Sequence, residues 1–131
     1  MKPIPESHRD LLELPVLAIL TTLMPDGSPQ ASPVWVDYKD GYVRVNSAKG
    51  RQKDRNMRER PRVSLVLVDP DNPYRYMEIR GRVVSVTEEG ADDHIDALAR
   101  RYTGAERFTR NSPDEVRVMY LIEPTHIVTR G

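Results

Sequence analysis

No cysteine occurs among the 131 residues, which removes disulfide frameworks, thiolate nucleophiles, cysteine-bound zinc and iron–sulfur clusters together. Aromatic residues are scarce, with one Trp, one Phe and six Tyr. Net charge is missing as well: 20 basic residues balance 20 acidic ones, so the molecule as a whole has no electrostatic reason to coat itself with nucleic acid or anionic lipid. Nor is there a long hydrophobic run. The best one, residues 16–23, falls far short of the roughly 20 apolar residues that carry a helix across a bilayer. Residues 1–10 include Glu6, His8, Arg9 and Asp10 and lack the basic-then-apolar order of a secretory signal. A cytoplasmic protein that engages neither membrane nor nucleic acid is expected.

What is present is a chain of single-domain size, residues 1–131, long enough for one core and too short for separate cofactor and substrate domains. Its hydrophobic fraction of 38% is modest, which points to surface buried between subunits and hence to a homodimer.

Residues 6–14 form a short amphipathic start in which Leu11, Leu12 and Leu14 gather before the helix-stopping Pro15. β signals follow. Residues 16–23 read as a strand, Asp26 and Gly27 as a hairpin turn, and residues 28–38 as the return strand. Asp40 and Gly41 repeat the device before the alternating segment 42–46. From 49 to 60 Gln, Lys, Arg, Glu and Met replace the strand formers, so a helix is predicted with Ser47 as its cap, closed by Pro61. Residues 63–68 resume as a buried strand, and a turn over 69–73 leads to a long strand over 74–86, with Gly81 marking a bulge or close approach. A helix over 88–102 sets Ile95, Leu98, Ala99 and Tyr102 on one face, and residues 116–129 read as one or two strands interrupted at Pro124. The order fits a mainly β (α+β) protein, a small antiparallel barrel with inserted helices.

Between residues 49 and 62 stand seven cations, Lys49, Arg51, Lys53, Arg55, Arg58, Arg60 and Arg62, against Asp54 and Glu59. Since the chain sums to zero, positive charge has been gathered in one place. The strand-to-helix junction at Asn46, Ser47 and Ala48 would point unpaired amides at an anion. Two readings stand: a solvated charged face, or a phosphate site. Nucleic acid is disfavoured, because no aromatic residue lies in the cluster to stack on bases.

Several stretches, taken in order, resemble the pyridoxamine-5′-phosphate-oxidase-like split-barrel family. They are residues 16–23; Asp26, Gly27, Ser28 and Pro29; Ser32, Pro33, Val34 and Trp35; Asn46, Ser47, Ala48, Lys49, Gly50, Arg51, Gln52 and Lys53; Asn56, Met57 and Arg58; and residues 60–65. The nearest likeness is to the F420-dependent branch, the flavin/deazaflavin oxidoreductases of the B group. Residues 78–83 and the following helix also match, so the resemblance covers nearly the whole chain.

That resemblance implies an FMN-binding-like split antiparallel β-barrel that dimerises, with cofactors in grooves at the subunit interface. It places the cofactor phosphate against Asn46, Ser47, Arg51 and Lys53, with Arg55 and Asn56 supporting it or the tail beyond and Ala48 also among the cofactor-binding residues. Ser32, Pro33, Val34 and Trp35 would run beside the tricyclic ring, and Tyr76 and Met77 would reach in from the second subunit. Trp35, Tyr76 and Met77 admit the alternative of core or interface residues. The cofactor expected is coenzyme F420, with FMN as the alternative, because F420 carries a phosphodiester and glutamates that would engage more cations than a single phosphate. The expected reaction is F420H2-dependent reduction of a small conjugated or aromatic substrate. A non-catalytic F420- or flavin-binding protein and a basic-patch binding module are the competing classes. Oxidation of pyridoxamine phosphate is disfavoured, because the C-terminal substrate-binding residues of those members are not found before Gly131.

No catalytic side chain is assigned, since hydride transfer from a deazaflavin needs positioning and shielding more than a nucleophile. No metal is expected either: His8, His94 and His126 have no ligand spacing, and Asp92, Asp93 and Asp96 read as helix N-terminal charges.

Overall fold

Tight turns built on Asp-Gly pairs organise the first strands. The computed structural model describes residues 1–131. Gly27 (φ 86°) closes the hairpin of β1 (Ala18–Leu23) and β2 (Pro29–Val34), with Asp26 Oδ1 accepting from Ser28 N at 3.0 Å. Asp40 and Gly41, both at positive φ (55° and 88°), join β3 (Val36–Lys39) to β4 (Tyr42–Ala48) in the geometry that suits a twisted hairpin. Then come α2 (Gln52–Glu59), β5 (Arg62–Asp69), β6 (Asn72–Thr87), α3 (Ala91–Thr103) and β7 (Arg117–Arg130), preceded near the N-terminus by a 3-10 turn (Glu6–His8) and α1 (Asp10–Glu13). No helix is long and apolar enough to cross a membrane.

All pairings are antiparallel, in the order β2-β1-β5-β6-β7-β4-β3. The two edge strands, β2 and β3, are therefore consecutive in sequence, separated only by Trp35. The sheet curls to bring these edges together without pairing them, which gives the split antiparallel β-barrel. The C-terminal part of α3 spans the split. Tyr102 Oη donates to Val16 O (2.6 Å) and accepts from Val36 N (3.1 Å), while Arg101 Nη1 donates to the carbonyls of Leu12 and Val36. Inside lies one cluster of 20 buried apolar residues, including Leu20, Val45, Met57, Leu65, Met77, Ile79, Tyr120 and Ile122.

Three sequence expectations change. The return strand over 28–38 is two strands belonging to opposite ends of the sheet. The last strand runs on through Pro124, because pairing shifts there by one residue: Arg80 faces His126 and Gly81 faces Pro124, leaving Thr125 as a bulge between them. A Cβ at Gly81 would meet the Glu123 carbonyl oxygen at 2.7 Å, so the close approach predicted there is real. Finally, Ser47 does not cap α2. The helix begins four residues past Ala48, and Asp54 Oδ2 reaches back to accept from Gly50 N at 2.9 Å.

Candidate functional site: a cationic groove at the barrel split

A groove of about 330 Å³ opens where the edges meet, lined by Leu17, the β2–β3 junction (Pro33, Val34, Trp35), Asn46 on β4, Arg51 and Lys53 around the start of α2, Ile95 and Leu98 on α3, Phe108, and Arg117 on β7. Three other surface depressions are larger. One is lined only by Asp93, Asp96, Arg100, Glu106 and Arg107, a second has Val116 as its one hydrophobic side chain among Glu88, Asp92, Arg110, Glu115 and Arg117, and the third lies on the outer sheet face among Arg62, Arg80 and Arg82. Cofactor pockets are mostly apolar with a few placed polar groups, and six of the eleven residues in the split groove are hydrophobic. The groove at the split is the better site on that ground.

One wall is an aromatic series. Trp35 stacks on Tyr102 with centroids 5.4 Å apart, Phe108 meets Trp35 edge-on at 6.2 Å, and the Arg117 guanidinium lies 4.7 Å over Phe108. At one end three cations converge. Lys53 Nζ donates to Ser32 Oγ at 3.3 Å, Arg51 Nη2 to Glu115 at 3.4 Å, and Arg117 Nη1 to the same carboxylate at 3.2 Å. A single carboxylate thus serves two of the three positive groups. The strain shows in their protonation: burial lowers the Lys53 pKa, and the charges of Arg51 and Arg117 lower it further. Arg117 is likewise lowered by burial, against the support of Glu115. A bound anion would relieve both.

The expected site residues divide. Ser32, Pro33, Val34, Trp35, Asn46, Arg51 and Lys53 come together at the groove. Six do not. Ser47 is 1% exposed, and by strand alternation it shares the barrel-interior face with Val43 and Val45; its Oγ has no partner. Ala48 is buried outside the groove lining. Arg55 points to solvent and donates to Gln52 Oε1. Asn56 is fully buried, its amide nitrogen donating to Thr22 and its oxygen accepting from Gln52 and Arg60. Met77 is fully buried in its own barrel core, so it has no surface to offer a second subunit. Tyr76, half-buried, sits beside Val68 and Arg130 at the far end of β6. Of the other cations in the cluster, Lys49, Arg58 and Arg60 pair with Glu88, Asp54 and Glu59.

A family model described as pyridoxamine 5′-phosphate oxidase matches residues 4–130. The chain belongs to this family. Among solved structures, a protein named F420 reductase is 35% identical, with a TM-score of 0.84 over 95% of this chain and 98% of that one. Two more distant structures share the fold. The conserved hypothetical protein Rv2991 from Mycobacterium tuberculosis is 23% identical, with a TM-score of 0.73 over 99% of this chain and 89% of that one. HupZ of Group A Streptococcus is 19% identical, with a TM-score of 0.68 over 96% and 93%.

Within this pyridoxamine 5′-phosphate oxidase fold, sequence reasoning missed Leu17, Ile95, Leu98, Phe108, Glu115 and Arg117 as site residues. A signal did exist for Arg117. It stands at the head of the strand Arg117–Arg130, one residue before the core position Val118, and a cation inside an otherwise apolar run needs a partner. Nothing local marked Phe108, which lies outside any helix or strand.

Proposed function

We propose that the protein is an F420H2-dependent oxidoreductase that passes a hydride to a small conjugated or aromatic substrate. The observation that carries this is the convergence of Arg51, Lys53 and Arg117 on one end of an aromatic-walled groove, with Glu115 the one carboxylate between them. The neighbour named F420 reductase, at 35% identity over nearly both full chains, supports the same reading.

The groove fits the group. Its cationic end suits the phosphodiester and carboxylates of F420, and its flat apolar wall suits a tricyclic ring. β2 is an edge strand, so the backbone groups on its outer side are unpaired and available to the polar edge of that ring; Pro29 and Pro33 are tolerated there for the same reason. When bound, F420 supplies a two-electron hydride donor. The chain's own residues hold its anionic end, orient the ring against Trp35 and keep water from the apolar wall.

The same reading includes a homodimer. The groove is at the small end of the range of about 300–1,000 Å³ usual for ligand pockets, and Leu17, which lines it, continues onto an exposed apolar strip of the outer sheet face containing Ile19 and Val68. A second copy seated on that strip would complete the groove.

The test is a parallel fluorescence titration with F420 and FMN. Micromolar or tighter F420 binding, lost in Arg51→Ala and Lys53→Ala, together with oxidation of F420H2 by an enone or nitroaromatic acceptor, is the expected result. FMN binding without F420 binding would move the assignment to an FMN oxidoreductase, and binding of neither would overturn it.

A further inference from the structure

Behind the groove, Asp37, Arg44, Asn46, His94 and Arg117 form one hydrogen-bonded chain across β3, β4, α3 and β7. Its proton positions follow from residues that can only donate. Arg117 Nε donates to the Asn46 side chain at 2.9 Å, so the atom it meets is the amide oxygen. The amide nitrogen therefore faces the other way, donating to the Ala91 carbonyl at 2.9 Å and lying 3.1 Å from His94 Nδ1. A donor facing Nδ1 makes that nitrogen an acceptor. The ring proton then sits on Nε2, 3.3 Å from Asp37 Oδ1, and Arg44 closes the chain with Nε and Nη2 on the Asp37 carboxylate at 2.8 and 2.7 Å.

The Asn46 amide cannot turn over within this frame. Its NH2 would face the Arg117 N–H, and its oxygen would face the Ala91 carbonyl. That matters because Arg117, buried to 4% exposure, is repelled by Arg51 and Arg110 and shares its one carboxylate with Arg51. Before an anion arrives, something other than charge must hold the guanidinium in place, and a fixed amide oxygen does so. With Nε on Asn46, Nη1 on Glu115 and its face over Phe108, the remaining nitrogen, Nη2, is left for the groove.

We propose that His94 is a positioning residue for anion recognition: acting through Asn46, it aims Arg117 at the phosphate of the groove's ligand without touching that ligand. This rests on the reading that the groove holds a phosphate-bearing redox cofactor. Preorganised donors of this kind bind charge without reorganising when it arrives.

The experiment compares wild type with His94→Phe, which keeps a ring but removes both nitrogens. Each protein is titrated with FMN and riboflavin, and with F420 and its phosphate-free deazaflavin riboside. The variant should lose about tenfold in affinity for the phosphate-bearing members and bind the phosphate-free ones as wild type does. A loss shared equally by both members of a pair would overturn the proposal, because a purely structural role would produce that result. Wild type binding none of the four would sink the cofactor reading instead. A ligand-free readout covers a variant that fails to fold. In wild type, two-bond proton–nitrogen NMR spectra should show His94 protonated at Nε2 with Nδ1 free, and a slowly exchanging Arg117 Nε–H. A proton on Nδ1 in the folded protein would refute the chain.

Discussion

Trp35 stacks on Tyr102 across the barrel split, ring centroids 5.4 Å apart and planes 14° from parallel. Trp35 is the single tryptophan of the chain and lines the groove, so its emission reports on that groove alone. Saturating FMN or F420 should quench it strongly. Trp35→Phe should remove the signal while keeping binding within a factor of a few, whereas Trp35→Ala also gives up stacking worth about 0.5–1.5 kcal/mol and should lower Tm. Unquenched emission from a protein shown by equilibrium dialysis to carry ligand would place the ligand elsewhere.

Lys53 carries a pH signature. Burial lowers its pKa, with Arg51 and Arg117 adding to the effect, below the ordinary lysine value of about 10.4. An anion in the groove favours the ammonium form and raises the pKa again. The complex is then more protonated than the free protein at alkaline pH, so binding takes up protons, and affinity falls as pH rises through the depressed Lys53 value. Calorimetric titration with F420 in alkaline buffers of different ionisation enthalpy should detect this uptake. Lys53→Met should abolish it and weaken binding by about tenfold or more.

The parts of the fold that were legible in the sequence are those decided by local chemistry. Asp26 with Gly27 and Asp40 with Gly41 specify turns on their own, and both hairpins form where they stand. The break at Trp35 was hidden, because residues 28–38 lie as one stretch between two turn signals and the interruption is imposed by closure of a sheet whose edges are sequence neighbours. Tyr76 and Met77 could not both have faced a partner, since adjacent strand residues point to opposite faces; the structure buries Met77. The cation cluster stands at one end of the groove. Only Arg51 and Lys53 among its seven members line that groove, because Lys49, Arg58 and Arg60 find carboxylates close by. Arg117, far along the chain, supplies the third charge through β4–β7 pairing, which no local pattern encodes.

Asp37 sets the acid limb of stability. Burial opposes its ionisation, but the hydrogen bonds from His94 and Arg44, with the Arg44 charge, outweigh that and bring its pKa from 3.8 down to about 2. A depressed carboxyl adds stability above its unfolded value, and that contribution disappears as pH falls through its folded one. Here the window runs from 3.8 to about 2, and the contribution lost is about 2 kcal/mol. Urea unfolding of wild type should show this drop across the window. Asp37→Asn should be less stable at neutral pH and flatter below it; an unchanged acid limb would remove Asp37 as the cause.

Gly81 separates stability from function. A Cβ there would lie 2.7 Å from the Glu123 carbonyl oxygen and 2.7 Å from Ile122 Cγ2. The neighbour is backbone of a paired strand, so it cannot move aside cheaply. Gly81→Ala should cost about 1–3 kcal/mol in chemical unfolding, and the surviving folded protein should bind cofactor as wild type does, because Gly81 lies outside the groove lining.

Ile19 tests the proposed dimer without touching the groove. It is 41% exposed on the outer sheet face, cross-strand from Pro33 on one side and Val66 on the other, while Pro33 itself lines the groove. A charge at position 19 should be harmless to a monomer, whose barrel interior it does not enter, yet intolerable between two apolar faces. Sedimentation should therefore give the mass of two chains for wild type and one for Ile19→Asp, with circular dichroism unchanged. Cofactor affinity should fall along with the loss of the dimer, because the wall that a second copy provides would be gone. A monomeric wild type, or an Ile19→Asp monomer that binds F420 as tightly as the parent, would show that the groove needs no partner.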